Sequence, residues 1–580
     1  IYRDRIRVAV LRGLALHEQA ERHRSLAAAL RASGCDDAER LARHLFAAGE
    51  RAEAAEFAAD AAYLAEASAA FERAAMLYRL AIACRPQDWV LRRKAGDALV
   101  LAGRNAEAGP LLLAAAEQAP AGAAARIRRA AAESFLTCGQ LATGLEILRP
   151  LLAELGVAYP ESEAAAIGLA RAEFAALAAR GTEFVERSEP ELASRDKLRL
   201  DACWCAGKGL LAADPARGAY YVLRSAQLAL AAGEAQRIVR SLALAATIAA
   251  NWQRPEERAW IAAAERLALK MRDPGAQAVV AVHVGAIHRC HGAWLEAFEA
   301  LEEGLQQLRE RCPAATWERT FAAPSLLLAL EALGEVRKLA GECERLAQQA
   351  HELGDLHVGT IAGLCGAAVW LARDDVAKAR ARVAAALQGW PAGASQVHRL
   401  HALRYQVDCD LYVGDPAAAW RRVTEAWPGL TDSAAAQVAV RRVELLQLRA
   451  RAALAVLASR PAGGEWAHLD ELVEVDISQL AREPMAQAPA LASLYRGCHD
   501  AIHGRRAAAA QRLGPAIHAF DQAGMALYAT VSRRRAAEWS GHPAAPEIVA
   551  RADAFMHMQD IARPGRWAAI VAPSPDDAGG

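Results

Sequence analysis

Four side chains in the segment HVGAIHRCHG could bind a metal ion: His283, His288, Cys290 and His291. Three imidazoles and a thiol are ligands that Zn²⁺ favours. On a helix, however, His283 and His288 would point about 140° apart, because each residue turns by about 100°. Only His288 and His291 would share a helix face, and no Glu-containing zinc motif accompanies them. We therefore expect packing and helix-end roles for these residues, and no metal site.

Phosphate chemistry has no matching motif in this sequence. A P-loop needs a glycine-rich cradle followed by Lys and then Ser or Thr. Lys208 is instead followed by Gly209, and Ala202 stands where the first glycine would be. The glycine-rich loop, the His-Arg-Asp triplet and the Asp-Phe-Gly triplet of protein kinases are also absent from the sequence. We expect no enzymatic activity and no cofactor in this chain.

Redox chemistry and DNA recognition are also disfavoured. Cys203 and Cys205 would point to nearly opposite faces of a helix, which argues against a redox pair. The most basic short run is RRRAAEW, residues 533–539, and we interpret it as the solvated face of a repeat helix rather than a DNA-reading helix. The 68 basic and 68 acidic side chains cancel, so no global attraction for nucleic acid or an anionic membrane is expected.

Cysteine usage and hydropathy favour a cytoplasmic protein. The 11 Cys residues are scattered and suggest no disulfide framework. No secretory signal is visible at the start of the sequence. The longest uncharged apolar stretch, residues 358–372, is shorter than the roughly 20 residues that a membrane-spanning helix needs. We expect it to form a buried helix.

The remaining residues predict an all-α fold with internal repeats. Ala74, Tyr78, Ala81 and Pro86 are spaced by 4, 3 and 5 residues, and the same spacing recurs 34 residues later. This is the pattern of the second helix of a tetratricopeptide repeat, in which small residues let helices approach closely. Related matches occur at Ala108, Leu112, Ala115 and Pro120; Ala379, Val383, Ala386 and Pro391; Ala419, Val423 and Ala426; Ala509, Leu513 and Ala516; and Ala54, Ala58 and Ala61. We predict a tetratricopeptide-like α-solenoid of degenerate helical-hairpin repeats.

Candidate partner-binding residues follow from the register of these repeats. If residue 89 begins a repeat, Gly96 and Gly103 occupy its first-helix and turn glycine positions. Arg93 and Asp97, one helical turn apart, would then face the groove and could contact a partner. The alternative is an intrahelical Arg–Asp pair on a solvated face.

Breaks in the helical pattern predict five segments. Residues 1–32 would end a winged-helix segment of an ATPase module, and residues 33–160 would form the first tetratricopeptide-like repeats. Residues 161–460 would form a degenerate helical-repeat superhelix, and residues 461–570 the C-terminal repeats and their cap. The Pro-, Asp- and Gly-containing residues 571–580 would be a disordered tail.

Several stretches together resemble one family. The opening YRDRIRVAVLRGL…HRSLAAAL is similar to the end of the winged-helix segment behind the ATPase module of large bacterial serine/threonine protein kinases. The segments CGQLATGLEILRPLLAELGVAYP and AFDQAGMALYATVSRRRAAEW resemble the middle and the end of their tetratricopeptide-like tails. In that family a kinase domain comes first, a signal-transducing ATPase module follows, and the helical tail comes last.

The resemblance implies a non-catalytic interaction and regulatory region of a kinase–ATPase signalling protein. A protein partner or small ligand would bind its concave face, and kinase and ATPase modules would precede Ile1 in cis. Two alternatives remain open: a stand-alone tetratricopeptide-like scaffold from a truncated gene, or the tail of an ATPase-type transcription regulator. The family's catalytic residues have no counterparts in this chain, and neither nucleic acid nor membrane is expected as a partner.

Overall fold

The computed structural model describes residues 13–312, 314–388, 390, 396–431, 436, 438–459 and 467–579. These residues form α-helices that are joined by turns and short irregular segments, and no β-strand lies among them. The prediction of an all-α, helical-repeat fold is confirmed. The helices belong to two compact units.

The first unit reaches to Val157 and includes residues 314–316. Each of its helices packs against the next one along the chain, as expected for helical hairpins with short connections. Its helices are α1 (Leu16–Ala32), α2 (Ala38–Ala48), α3 (Arg51–Ala67), α4 (Phe71–Cys84), α5 (Trp89–Leu101), α6 (Asn105–Gln118), α7 (Ala121–Thr137) and α8 (Leu141–Glu154).

The second unit comprises Ala158–Cys312 and the described residues from Trp317 onward. Helical hairpins again follow one another, and its last helix returns to pack against two helices from earlier in the unit, α20 and α22. The first ten helices are α9 (Glu163–Arg180), α10 (Ser194–Leu210), α11 (Pro215–Ala232), α12 (Ala235–Asn251), α13 (Glu256–Met271), α14 (Pro274–His291), α15 (Trp294–Arg311), α16 (Thr316–Leu333), α17 (Val336–Leu353) and α18 (Leu356–Ala372). The others are α19 (Val376–Leu387), α20 (Gln396–Tyr412), α21 (Pro416–Thr431), α22 (Ala439–Ala458), α23 (Ala467–Leu480), α24 (Ala488–Ile502), α25 (Arg506–Gln522), α26 (Ala526–Ser540), α27 (Ala545–Met558) and α28 (Pro564–Val571).

The residues of the predicted repeat pattern form the contacts between helices. Ala74, Tyr78 and Ala81 are completely buried in α4 and belong to the core of the first unit. The equivalent positions of the other repeats are also buried, apart from Ala386 and Ala426, which are half-buried. Pro391 lies outside the described residues. The small-large-small spacing therefore marks the packed face of each second helix.

Two positions in the predicted repeat register require glycine, each for a different structural reason. A Cβ atom at position 96 would lie 2.5 Å from Leu112 Cγ, so Gly96 lets α5 and α6 approach closely. Gly103 has a φ of 80°, which favours glycine, and it turns the chain between the same two helices. Asp88 starts α5 by accepting hydrogen bonds from the backbone N–H groups of Val90 and Leu91, at 2.9 and 3.2 Å.

The apolar stretch 358–372 lies within α18 and is mostly buried. It packs against its neighbours in the helical array. Across the part of the chain that the structure describes, no helix has the length and apolar character needed to cross a membrane.

The chain's end differs from its prediction. Disorder was expected for residues 571–580, but Pro575–Gly579 form a 3-10 helix. Asp577 accepts hydrogen bonds from Arg535 at 2.7 Å, and Arg535 also donates to the Ala572 carbonyl at 2.8 Å. The Trp539 indole N–H donates to the Ser574 hydroxyl at 3.1 Å. Residues 572–577 pack against α26 because they neutralise Arg535 and provide hydrogen-bond acceptors for Arg535 and Trp539.

The interpretation of residues 533–539 as a solvated face is therefore wrong for Arg535. Its side chain is only 1% exposed, and Asp577 and Glu538 neutralise it. Arg533 and Arg534 also pair with carboxylates. Arg535 is thus part of an internal ion-pair network, whereas Arg533 and its partner Asp521 are exposed. The other domain boundaries stay predictions, and residues 1–12 of the proposed winged-helix segment lie outside the described residues.

Replacing Asp577 by Asn should destabilise the second unit by at least about 2 kcal/mol. The substitution removes a carboxylate from a buried guanidinium, whose remaining ionic partner is Glu538. The neighbouring Asp576→Asn is the matched control, because its partner Arg506 is 46% exposed and such pairs contribute less than about 1 kcal/mol. Denaturant unfolding of both variants measures the difference, and equal stability losses would show that the chain's end is not docked through Arg535.

Candidate functional site

Arg93 and Asp97 form an ion pair within α5. Their side chains are 37 and 39% exposed, so both remain accessible from solvent. Burial raises the pKa of Asp97, and Arg93 opposes that shift. The pair corresponds to the intrahelical arrangement that sequence analysis gave as the alternative. Their role in partner binding stays a prediction.

The pair belongs to a larger charged surface on alternate helices of the first unit. We define the charged strip as Glu66 on α3, Arg93 and Asp97 on α5, and Arg129 and Glu133 on α7. Glu66 and Arg129 both act electrostatically on the pKa of Asp97, which places them within reach of it. Arg129 and Glu133 form a second i,i+4 ion pair. The strip presents charges of both signs on these three alternate helices.

Sequence analysis missed the three outer residues of the charged strip. Their signal was present, because Arg129 and Glu133 repeat the Arg–acid spacing of Arg93 and Asp97 after 36 residues. The repeat pattern used for prediction is defined by small and apolar residues, and it does not include these charged positions. A polar pattern that recurs with the repeat lies on one face of the helical array.

A cavity of about 690 Å³ opens in the second unit, beside α9 and the start of α13. Its lining includes Phe174 and Trp252, whose ring centroids lie 5.6 Å apart. Arg171, Arg254 and Glu256 add charged groups to this apolar lining. The volume is typical of sites that hold small ligands.

One wall of this cavity carries an unsatisfied acceptor. The Oε2 atom of Glu256 is buried and has no hydrogen-bond partner. The Arg254 guanidinium lies 5.5 Å from the centroid of the Phe174 ring rather than beside that oxygen. A buried acceptor without a partner costs free energy. The aromatic and apolar lining of the cavity suits a ligand with an apolar or planar face.

The potential metal ligands of the segment 283–291, for which the sequence predicts no metal site, do not bring three ligand atoms together. His283 is buried, and its Nδ1 atom lies 3.1 Å from the Thr247 hydroxyl. His291 Nε2 lies 2.7 Å from Glu257 Oε1 instead. Burial lowers the pKa of His283 to about 3, so this imidazole is neutral at physiological pH. Among the described residues, the ligand atoms that come close enough to share a metal ion are those of Asp470, His499 and His503.

The other candidates for chemistry are packed into the structure. Cys203 and Cys205 are buried, and burial raises the pKa of the Cys203 thiol to about 12, which opposes thiolate chemistry. The Lys208 ammonium lies 5.4 Å from the centroid of the Trp317 ring.

A buried ion network lies elsewhere in the second unit. Arg451 donates to Asp408 at 2.9 Å, and Arg404 pairs with Glu331. Tyr405 also donates to Glu331, at 2.9 Å. Burial raises the pKa of Glu331, while Arg404 opposes that change. These ion pairs connect α16, α20 and α22, although the Arg451 Nε atom has no hydrogen-bond partner, so the network is a structural tie between the helices.

The similarity of the chain to solved structures is weak. No protein-family model matches the chain, and no curated protein matches it. Among solved structures, the tetratricopeptide repeat domain of P58(IPK) is 12% identical and has a TM-score of 0.22; the match covers 81% of this chain and 98% of that chain. A chain of the Naa15/Naa10 complex bound to HypK-THB is 13% identical and has a TM-score of 0.23; the match covers 93% of this chain and 96% of that chain. The tetratricopeptide-like assignment rests on the packed helical hairpins described above.

Replacing both Arg93 and Asp97 by Ala should weaken capture of a protein partner at least about fivefold, because charged contacts on the groove side would be lost. The matched control is Arg79→Ala with Glu107→Ala. That ion pair bridges α4 and α6, the helices that alternate with those of the charged strip. Quantitative co-purification of partners from cells that express each variant measures the effect. Equal capture by both double variants would remove Arg93 and Asp97 from consideration.

Proposed function

We propose that this chain is the interaction and regulatory region of a bacterial serine/threonine kinase–ATPase signalling protein. In this role it binds a protein partner or small ligand on the concave face of its repeats. The binding changes the activity of kinase and ATPase modules in the same polypeptide, in the cytoplasm. The chain itself contributes recognition, and the phosphoryl-transfer chemistry belongs to the upstream modules.

The cavity beside α9 and α13 is the observation that carries this proposal. It combines ligand-sized volume, the aromatic side chains of Phe174 and Trp252, and the unsatisfied Glu256 carboxylate oxygen. A site of this composition binds through apolar contact and stacking on the rings. The charged strip of the first unit adds a second surface, suited to a polar protein segment.

The kinase–ATPase context is supported by the family resemblance of several stretches of the sequence. Regulation through such a tail requires that the bound molecule prefer one conformational state of the whole protein over the other. By thermodynamic linkage, the same preference makes nucleotide binding upstream alter ligand affinity here. A helical-repeat region can transmit this preference because each hairpin packs directly on its neighbours.

The alternatives differ in what precedes the chain. The codons upstream of Ile1 distinguish them at once: an in-frame kinase and P-loop supports the proposal, and an immediate stop or start codon supports a stand-alone scaffold. A helix-turn-helix in the same gene would favour the transcription-regulator alternative.

The test joins the upstream modules of the gene to this chain and compares them with the same modules alone. Autophosphorylation and ATP turnover should differ by about fivefold or more between the two proteins, the range of ordinary allosteric coupling. Glu256→Gln should reduce this difference in autophosphorylation and ATP turnover, because it changes a charged residue that lines the cavity. Glu265→Gln, on an exposed position of the same helix α13, is the matched control. Identical rates with and without the chain would contradict the regulatory proposal.

A further inference from the structure

Two pairs of side chains face each other between α23 and α24. Asp470 and Glu474 lie one turn apart on α23. His499 lies in the last turn of α24, and His503 follows as its C-cap. Each pair has the i,i+4 spacing that places both side chains on one helix face. The fold therefore brings two carboxylates against two imidazoles.

The closest atoms in this group are ligand atoms. The Nε2 atoms of His499 and His503 lie 3.2 and 2.9 Å from the same oxygen, Asp470 Oδ1. The two imidazole rings are 4.5 Å apart between centroids. Around a tetrahedral Zn²⁺ with bonds of about 2.0 to 2.1 Å, neighbouring ligand atoms lie about 3.3 Å apart. The two separations from Asp470 Oδ1 therefore differ from those of a metal site by only a few tenths of an ångström, and all three ligand atoms lie within 4.8 Å of one another.

A second carboxylate stands at the other nitrogen of the buried imidazole. His499 is 6% exposed, and Glu474 Oε1 lies 3.3 Å from its Nδ1 atom. That Nδ1 atom has no aligned hydrogen bond. A carboxylate at the non-ligating nitrogen is the usual companion of a metal-bound histidine, because it fixes the tautomer and orients the ring. This contact is independent of the three converging ligand atoms.

We propose that Asp470, His499 and His503 bind a divalent transition-metal ion of the Zn²⁺ class, with Glu474 as the positioning carboxylate of His499. Mixed imidazole and carboxylate ligands suit Zn²⁺ and Co²⁺ better than Ca²⁺ or Mg²⁺. Three protein ligands leave one position of a tetrahedral ion for water. The ion would tie α23 to α24 within the C-terminal repeats.

Binding needs only a change in proton positions. Each Nε2 atom must present its lone pair to the ion, so a neutral imidazole carries its hydrogen on Nδ1. At His499 that N–H would donate to Glu474. An imidazole that is protonated beforehand releases one proton, so acid should weaken binding. Burial and the neighbouring His503 lower the pKa of His499, and Asp470 and Glu474 oppose this change. Arg496 is the cation that faces Glu474.

The test titrates the metal-free full chain with Zn²⁺ in competition with a chromophoric chelator, and with Co²⁺ while visible absorption is recorded. The number of tightly bound Zn²⁺ ions per chain should be higher by one in the wild type than in His503→Gln or Asp470→Asn. The wild type should also show Co²⁺ bands of a tetrahedral site, which both variants lose. His518→Gln is the matched control, because His518 is an exposed imidazole on the next helix, α25.

Glu474→Gln should weaken Zn²⁺ affinity by about 10- to 100-fold without abolishing it, as expected for an outer carboxylate. His503 is 25% exposed, so its substitution leaves a folded protein, and thermal unfolding without metal checks this point. Equal Zn²⁺ stoichiometry and affinity in wild type, His503→Gln and Asp470→Asn would overturn the proposal. Absence of tetrahedral Co²⁺ bands from the wild-type chain would overturn it as well. Neither outcome depends on the proposed signalling function.

Discussion

Close approach between neighbouring helices is the constraint on which the rest of this structure depends. A repeat unit cannot bury its apolar face alone, so each helical hairpin must pack tightly on the next. Completely buried alanines at positions 74, 81, 108 and 115 and the contact between Gly96 and Leu112 provide that tight packing in the first unit. Because small residues occupy these contacts, larger and charged side chains are left to the faces between and beside the helices.

The same close packing limits how charges can be buried. A long charged side chain within the array is tolerated when a carboxylate or guanidinium from another helix meets it, since an unpaired buried charge is strongly destabilising. Arg535 meets Asp577, and Arg451 meets Asp408, in each case across elements distant in sequence. The Arg535–Asp577 pair fixes the segment that follows α28, and Arg451 also donates to the Ile570 carbonyl of α28 at 3.1 Å. The cavity is different, because the Glu256 oxygen there is left without such a partner.

Local pattern was sufficient to predict the helices, the hairpin repeats and the turn at Gly103, because period and glycine position depend on neighbouring residues. The burial of Arg535 was not predictable from its own segment, because its partner Asp577 lies in a stretch whose composition suggests disorder. The cavity and the Asp470 cluster are assembled from residues on different helices, and no short motif joins them. Two of the five residues of the charged strip, Arg93 and Asp97, were singled out from the repeat register. Arg129 and Glu133 could have been identified from the recurrence of the Arg93–Asp97 spacing in the next repeat.

The proposed function requires that this chain and the proposed upstream nucleotide-binding modules influence each other. Linkage requires that the influence run in both directions. Hydrogen–deuterium exchange of the whole parent protein, with and without a non-hydrolysable ATP analogue, tests this directly. The account predicts that nucleotide binding changes amide exchange in the helices that line the cavity, α9 and α13, or in the helices of the charged strip. Identical exchange throughout residues 13–579 in the two states would contradict it.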